Sequence, residues 1–191
     1  MLSFLHERVR TLERLLARSS AVLAKYNSSD LDVAAALTDF LDDTIAVYHT
    51  LNQATVENRM LALKADFVTA SQGTNPLTFE RVTTYRRAMQ RAVALRVLQA
   101  SAEQLRTDLE LDAKQLGDAS TLLRPIVLAA FRNGLVDGSR STPPHHQNVE
   151  TLWRVLLADD DIELAARQVA MQVSVYDIQL LLDTLLDAAG A

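Results

Sequence analysis

The sequence predicts an all-α protein: an elongated antiparallel helical hairpin of two long helices, with shorter N- and C-terminal helices packed around it as a bundle. Three observations carry that expectation. Glycine (5) and proline (4) are scarce among 191 residues, which leaves few places for turns. Apolar residues make up 49% of the chain and aromatics only 5%, so the core is drawn from Leu, Ala and Val. From Ser29 to Gly117 an apolar residue returns every three or four positions, with a short interruption at Ser71–Pro76.

The first helix is expected over Leu2–Tyr26, where Leu5, Val9, Leu12, Leu15, Leu16, Val22 and Leu23 share a side. Five basic residues against Glu7 and Glu13 make it cationic. Ser29 or Asp30 is placed to cap the second helix, whose stripe runs Ala34, Leu37, Leu41, Ile45, Tyr48, Leu51, Val56, Met60, Leu63, Phe67. Read as one rod it would be on the order of 60 Å long. The alternative is two helices broken between His49 and Arg59, where no Pro or Gly enforces a break. Gly73 then closes the rod, and Pro76 sits just ahead of a third helix bearing Val82, Tyr85, Met89, Leu95, Leu98, Leu105 and Leu109 and ending at Gly117.

Folding this hairpin about Thr74 sets residue i opposite about 147 − i, so that Tyr48 meets Leu98 and Leu41 meets Leu105. Three successive steps of three, from Met89 to Leu98, mark a stammer in the third helix opposite Asn52 and Thr55. Pro125 opens or kinks a further helix that Asn133-Gly134 ends. The hairpin domain is thus expected over 1–134, followed by an irregular, mobile stretch, Leu135–Gln147, and a C-terminal helical segment, 148–191, packed on the same domain. That last segment holds a helix from Val149 with Trp153 as core anchor. A final helix from Ile162 follows, which Ser174-Val175-Tyr176-Asp177 would divide by resembling a capping signal.

A net charge of −5 disfavours wholesale binding to nucleic acid or to an anionic membrane. No stretch approaches the ~20 apolar residues of a membrane span. Glu7, Arg8, Arg10 and Glu13 break up any signal-like run near the start, which makes a cytoplasmic protein the default expectation. The absence of cysteine excludes disulfides and thiolate catalysis. Histidine and carboxylate spacing lacks the Glu-x-x-His pairs of a metal-binding bundle, and no Gly-rich loop cradles a phosphate. No catalytic, cofactor or metal site is therefore expected.

Two candidate surfaces remain. Leu61, Val68, Leu77 and Phe79 lie off the hairpin seam, so the tip carries more apolar surface than two helices bury, and Arg81, Arg86, Arg87 and Arg91 follow it. This pattern suggests a non-enzymatic interaction module (adaptor, scaffold or chaperone-like) that self-associates through the hairpin tip as a homo-oligomer, another protein of acidic surface being a further partner, with no nucleic acid or membrane expected. The alternative is a small-molecule-responsive regulator or enzyme with a pocket at the seam's polar interruption, where His49, Asn52, Thr55 and Arg59 would converge with Ala92–Arg96. The same interruption equally suits a polar layer that fixes register.

Overall fold

The computed structural model describes residues 4–135 and 146–190, and helices account for most of them. In chain order they are α1 (Leu5–Asn27), α2 (Val33–Thr50), α3 (Ala54–Ser71), α4 (Arg86–Arg132), α5 (His146–Ala158), α6 (Glu163–Ala170) and α7 (Val175–Gly190). The sole β feature among the described residues is an isolated antiparallel bridge between Thr74 and Arg81. The all-α helical bundle is thus the observed architecture. The chain divides into two compact units, one built on Glu7–Glu110 and the other on Phe4–His6 with Leu111–Ala191.

In the first unit, helix directions follow from the side-chain pairs. Asp42–Lys64 and His49–Glu57 bridge α2 and α3, and residue numbers adding to 106 in both cases require antiparallel helices. Asp66–Arg96 and Arg59–Gln104 join α3 to α4 with sums of 162 and 163, again antiparallel. Arg18 of α1 pairs with Asp43 of α2, and Arg91 near the start of α4 reaches the end of α1 at Tyr26 and Ser29. These constraints describe an up-down-up-down four-helix bundle. Its centre collects Leu12 and Leu15 from α1, Phe40, Leu41 and Tyr48 from α2, Met60 and Phe67 from α3, and Val97, Leu98 and Leu105 from α4. Each such side chain, fully buried, is worth about 1.5–3 kcal/mol relative to exposure.

Of the two long helices expected, one is found: α4 is continuous over 47 residues. The other is two helices, α2 and α3, folded against each other. The divider is Asn52, whose φ of 57° is left-handed. Its N–H bonds His49 O at 3.0 Å while the N–H of Gln53 bonds Tyr48 O at 3.0 Å. That pair of bonds is a Schellman closure, with asparagine in the position usually taken by glycine. The same closure recurs at Gly73 (φ 86°), where the N–H groups of Gly73 and Thr74 bond Ala70 O and Thr69 O, and at Gly134 (φ 70°). It recurs once more at Ser29 (φ 57°), which therefore ends α1 instead of capping α2.

The break at Asn52 overturns the register about Thr74. Residues of α3 face α4 near 162 − i, and α2 runs parallel to α4, with Tyr48 donating to Asp108 at 2.7 Å. The stammer consequently lies opposite α3 around Asp66, not opposite Asn52 and Thr55. The third helix also starts later than expected, at Arg86, because local bonds claim the intervening chain: the Asn75 side chain accepts from Leu77 N at 2.9 Å and Glu80 O accepts from Asn75 N at 2.9 Å.

In the second unit α4 continues through Gly117 and Pro125, both expected to interrupt it, to the predicted end at Asn133-Gly134. Leu116, Leu123, Ile126 and Val127 of α4, Trp153 and Leu156 of α5, Val169 of α6 and Ile178 and Leu182 of α7 are buried. Trp153 is thus a core residue. The capping signal at Ser174 does divide the last helix: Ser174 Oγ accepts from Asp177 N at 3.1 Å as α7 begins. Of the stretch expected to be irregular, 136–145 lies outside the described residues, and His146 already belongs to α5.

Candidate interaction loop

Residues 72–85 join α3 to α4 within the first unit and form a loop held by its own hydrogen bonds. Val82 N bonds Gly73 O at 2.8 Å, Asn75 N bonds Glu80 O at 2.9 Å and Phe79 N bonds Asn75 O at 2.8 Å. Arg86 folds back over its base, donating to Ser71 O at 2.9 Å, with Gln90 Nε2 adding a bond to the same carbonyl at 3.1 Å. A Cβ on Gly73 would stand 2.8 Å from Arg86 Nε, which the long Arg86 side chain can relieve by shifting, so it is the left-handed φ of 86° that calls for glycine there.

This firmly tied loop turns its large apolar side chains outward. Leu77 is 74% exposed, Phe79 78% and Tyr85 82%. Phe79 and Tyr85 both adopt left-handed backbone, φ 57° and 62°, a conformation costing non-glycine residues roughly 1–2 kcal/mol each. Neither residue recovers that cost by burial. The adjoining α1–α2 turn, tied to α4 by the bond from Arg91 to Ser29 Oγ, adds Leu31 at 96% exposure between Asp30 and Asp32.

The remaining apolar candidates lie apart from the loop. Leu61 (44% exposed) and Val68 (41%) stand two helical turns from each other on α3, and Leu61 is ten residues, about 15 Å of helix, from the end of α3 at Ser71. The four arginines also divide. Arg86 clamps the loop base, and Arg91 sits over the Tyr26 ring, 5.0 Å from its centroid. Arg81 and Arg87 are exposed, and among the described residues no ion pair or side-chain hydrogen bond holds either.

His49, Asn52, Thr55 and Arg59 are brought to the α2–α3 turn, where all four are exposed. His49 Nδ1 is 3.1 Å from Glu57 Oε1. Arg59 donates to Gln104 Oε1 at 2.6 Å, and Gln104 donates in turn to Asp108, the acceptor for buried Tyr48. The chain Arg59–Gln104–Asp108–Tyr48 is a polar tie across α3, α4 and α2, and Ala92–Arg96 takes no part in it. A shallow groove of about 390 Å³ between α1 and α2 is lined by Arg14, Leu15, Arg18, Asp43, Ala46, Val47 and Thr50, none of the four among them.

Sequence reasoning missed one buried cluster in the second unit. Asp177 is fully buried and accepts four hydrogen bonds: from Leu5 N (3.1 Å), His6 N (3.0 Å), His6 Nδ1 (2.9 Å) and Ser174 Oγ (2.6 Å). Burial pushes its carboxyl up, but the Ser174 hydroxyl and the backbone and ring donors of His6 and Leu5 outweigh that and hold it below the ordinary value. Leu5 and His6 are the first residues of α1, so the carboxylate takes up two of that helix's orphan N–H groups at its positive end. Only the Ser174–Asp177 half carried a sequence signal.

Compared with known proteins, the chain matches no family model, no curated protein and no solved structure. Among the described residues no group of three or more His, Asp or Glu is gathered so as to hold a metal ion, and no single helix is long and apolar enough to cross a membrane.

Proposed function

We propose that the chain is a non-enzymatic helical interaction module, an adaptor, scaffold or chaperone-like protein, that presents the 72–85 loop of its four-helix unit to another protein surface, a second copy of itself included. One observation carries this reading: Leu77, Phe79 and Tyr85 are bare on a loop whose backbone is held by Asn75, Glu80 and Arg86, with two of the three in costly left-handed backbone. Strain of this kind persists where the surroundings over-determine it, and it gathers at binding sites. Exposed apolar clusters of this sort mark interfaces, and a pre-formed loop loses little entropy on docking. Leu61 and Val68, apart from the loop on α3, offer a second and less exposed apolar strip.

The test is Phe79→Asp and Leu61→Asp, compared with the parent for self-association by sedimentation and for capture of partners. Both are exposed, so helix content should be unchanged while association weakens, more for Phe79→Asp than for Leu61→Asp. Association equal to the parent's in both variants would remove the loop and the outer face of α3 from any interface.

A further inference from the structure

We infer that the occupant of the 72–85 loop is an acidic segment of a different protein, one that offers large apolar side chains between its carboxylates. This rests on the reading of the loop as an interaction surface and adds the chemistry of what binds it. Arg81 and Arg87 are exposed cations without side-chain partners among the described residues, and Glu80 is the one acid on the loop. Arg86, although clamped to Ser71 O, keeps its charge at the loop base. The bare rings of Phe79 and Tyr85 are thus set among positive charges, which a carboxylate-bearing partner complements.

Three other occupants fit less well. A two-fold contact centred on the loop would gather Arg81 and Arg87 of both copies in one interface, four unpaired cations against two Glu80 carboxylates, an excess of like charge. An anionic bilayer is a plane, and Asp30 and Asp32 stand exposed on the adjoining turn that Arg91 ties to α4, so the plane would attract one feature and repel the other. A narrow peptide segment meets the loop alone. A single-stranded nucleic acid would stack on Phe79 and Tyr85, but its continuous backbone charge favours a longer basic groove than these two residues provide.

A random peptide library selected on the immobilised full-length chain tests this. Enriched peptides should be acidic with interspersed Leu, Phe or Trp. The strongest should lose affinity by about tenfold or more for Arg81→Glu/Arg87→Glu and for Phe79→Asp, with melting temperatures unchanged. Enriched peptides that depend on Phe79 but show no acidic bias overturn the inference and leave the loop as the interaction surface. Peptides indifferent to Phe79→Asp overturn both. An empty selection overturns the inference. So does Phe79-dependent binding to phosphatidylserine vesicles, to an oligouridylate, or to a second copy by sedimentation, each naming the occupant that replaces it.

Discussion

Phe79 combines left-handed backbone with a ring left 78% exposed. Its left-handed φ costs roughly 1–2 kcal/mol, and glycine would remove that cost while adding about 0.5–1 kcal/mol of unfolded-chain entropy. Phe79→Gly should therefore leave stability unchanged or raise it by up to about 1.5 kcal/mol in urea titration, and on the proposed function it should also weaken association. A clear loss of stability would mean the ring packs internally. Asp177 makes the opposite case, a residue whose whole account is structural. Its carboxyl is lowered on folding from the ordinary 3.8, so the stability it contributes is complete above that value and is lost as pH falls through the lower, folded value. Asp177→Asn should cost about 2–3 kcal/mol at neutral pH, and the gap from the parent should narrow progressively below about pH 4. A gap independent of pH would contradict the ionised cap. Nothing local announces the His6–Asp177 contact, because its partners lie 171 positions apart.

At the scale of elements, what the sequence made legible depended on whether glycine did the work. Gly73 and Gly134 close α3 and α4 where expected, since glycine is the default left-handed residue. Asn52 and Ser29 make the same closure with side chains that only tolerate the conformation, and the apolar stripe running on through Val56 and Met60 disguised the break. Replacing Asn52 with Val should destabilise the first unit by about 1–2 kcal/mol, whereas Asn52→Gly should be near neutral; equal effects would place the break elsewhere. Gly117 and Pro125 mislead in the other direction. Both lie inside α4, held there while Leu116, Leu123 and Ile126 are buried on either side. A Cβ on Gly117 would meet nothing within 4 Å, so Gly117→Ala should raise stability by about 1 kcal/mol in a thermal melt. Periodicity alone places the start of α4 too early, because Val82 and Tyr85 continue the apolar rhythm while Asn75, Thr78 and their backbone bonds hold that stretch as loop.

For the molecule as a whole, composition settled the class of fold and periodicity found the helices, but pairing depended on turns that periodicity does not encode. Charge also ties helices together: the cationic first helix meets α2 through Arg18 and Asp43, and Lys64 and Gln104 engage Asp42 and Asp108. Of the arginines singled out beside the loop, only the folded structure separates Arg86 and Arg91, which hold structure together, from Arg81 and Arg87, which have no side-chain partner among the described residues. The 72–85 loop is hydrogen-bonded through its backbone and bare in its apolar side chains at once. Residue-resolved hydrogen exchange on the full chain tests that most directly. The amides of Asn75, Phe79 and Val82, each bonded to a carbonyl, should exchange at least about tenfold more slowly than those of Thr83 and Thr84. Exchange of all five at the rate of unstructured chain would show the loop to be unheld, and would contradict the claim that Leu77, Phe79 and Tyr85 are displayed on a pre-formed surface.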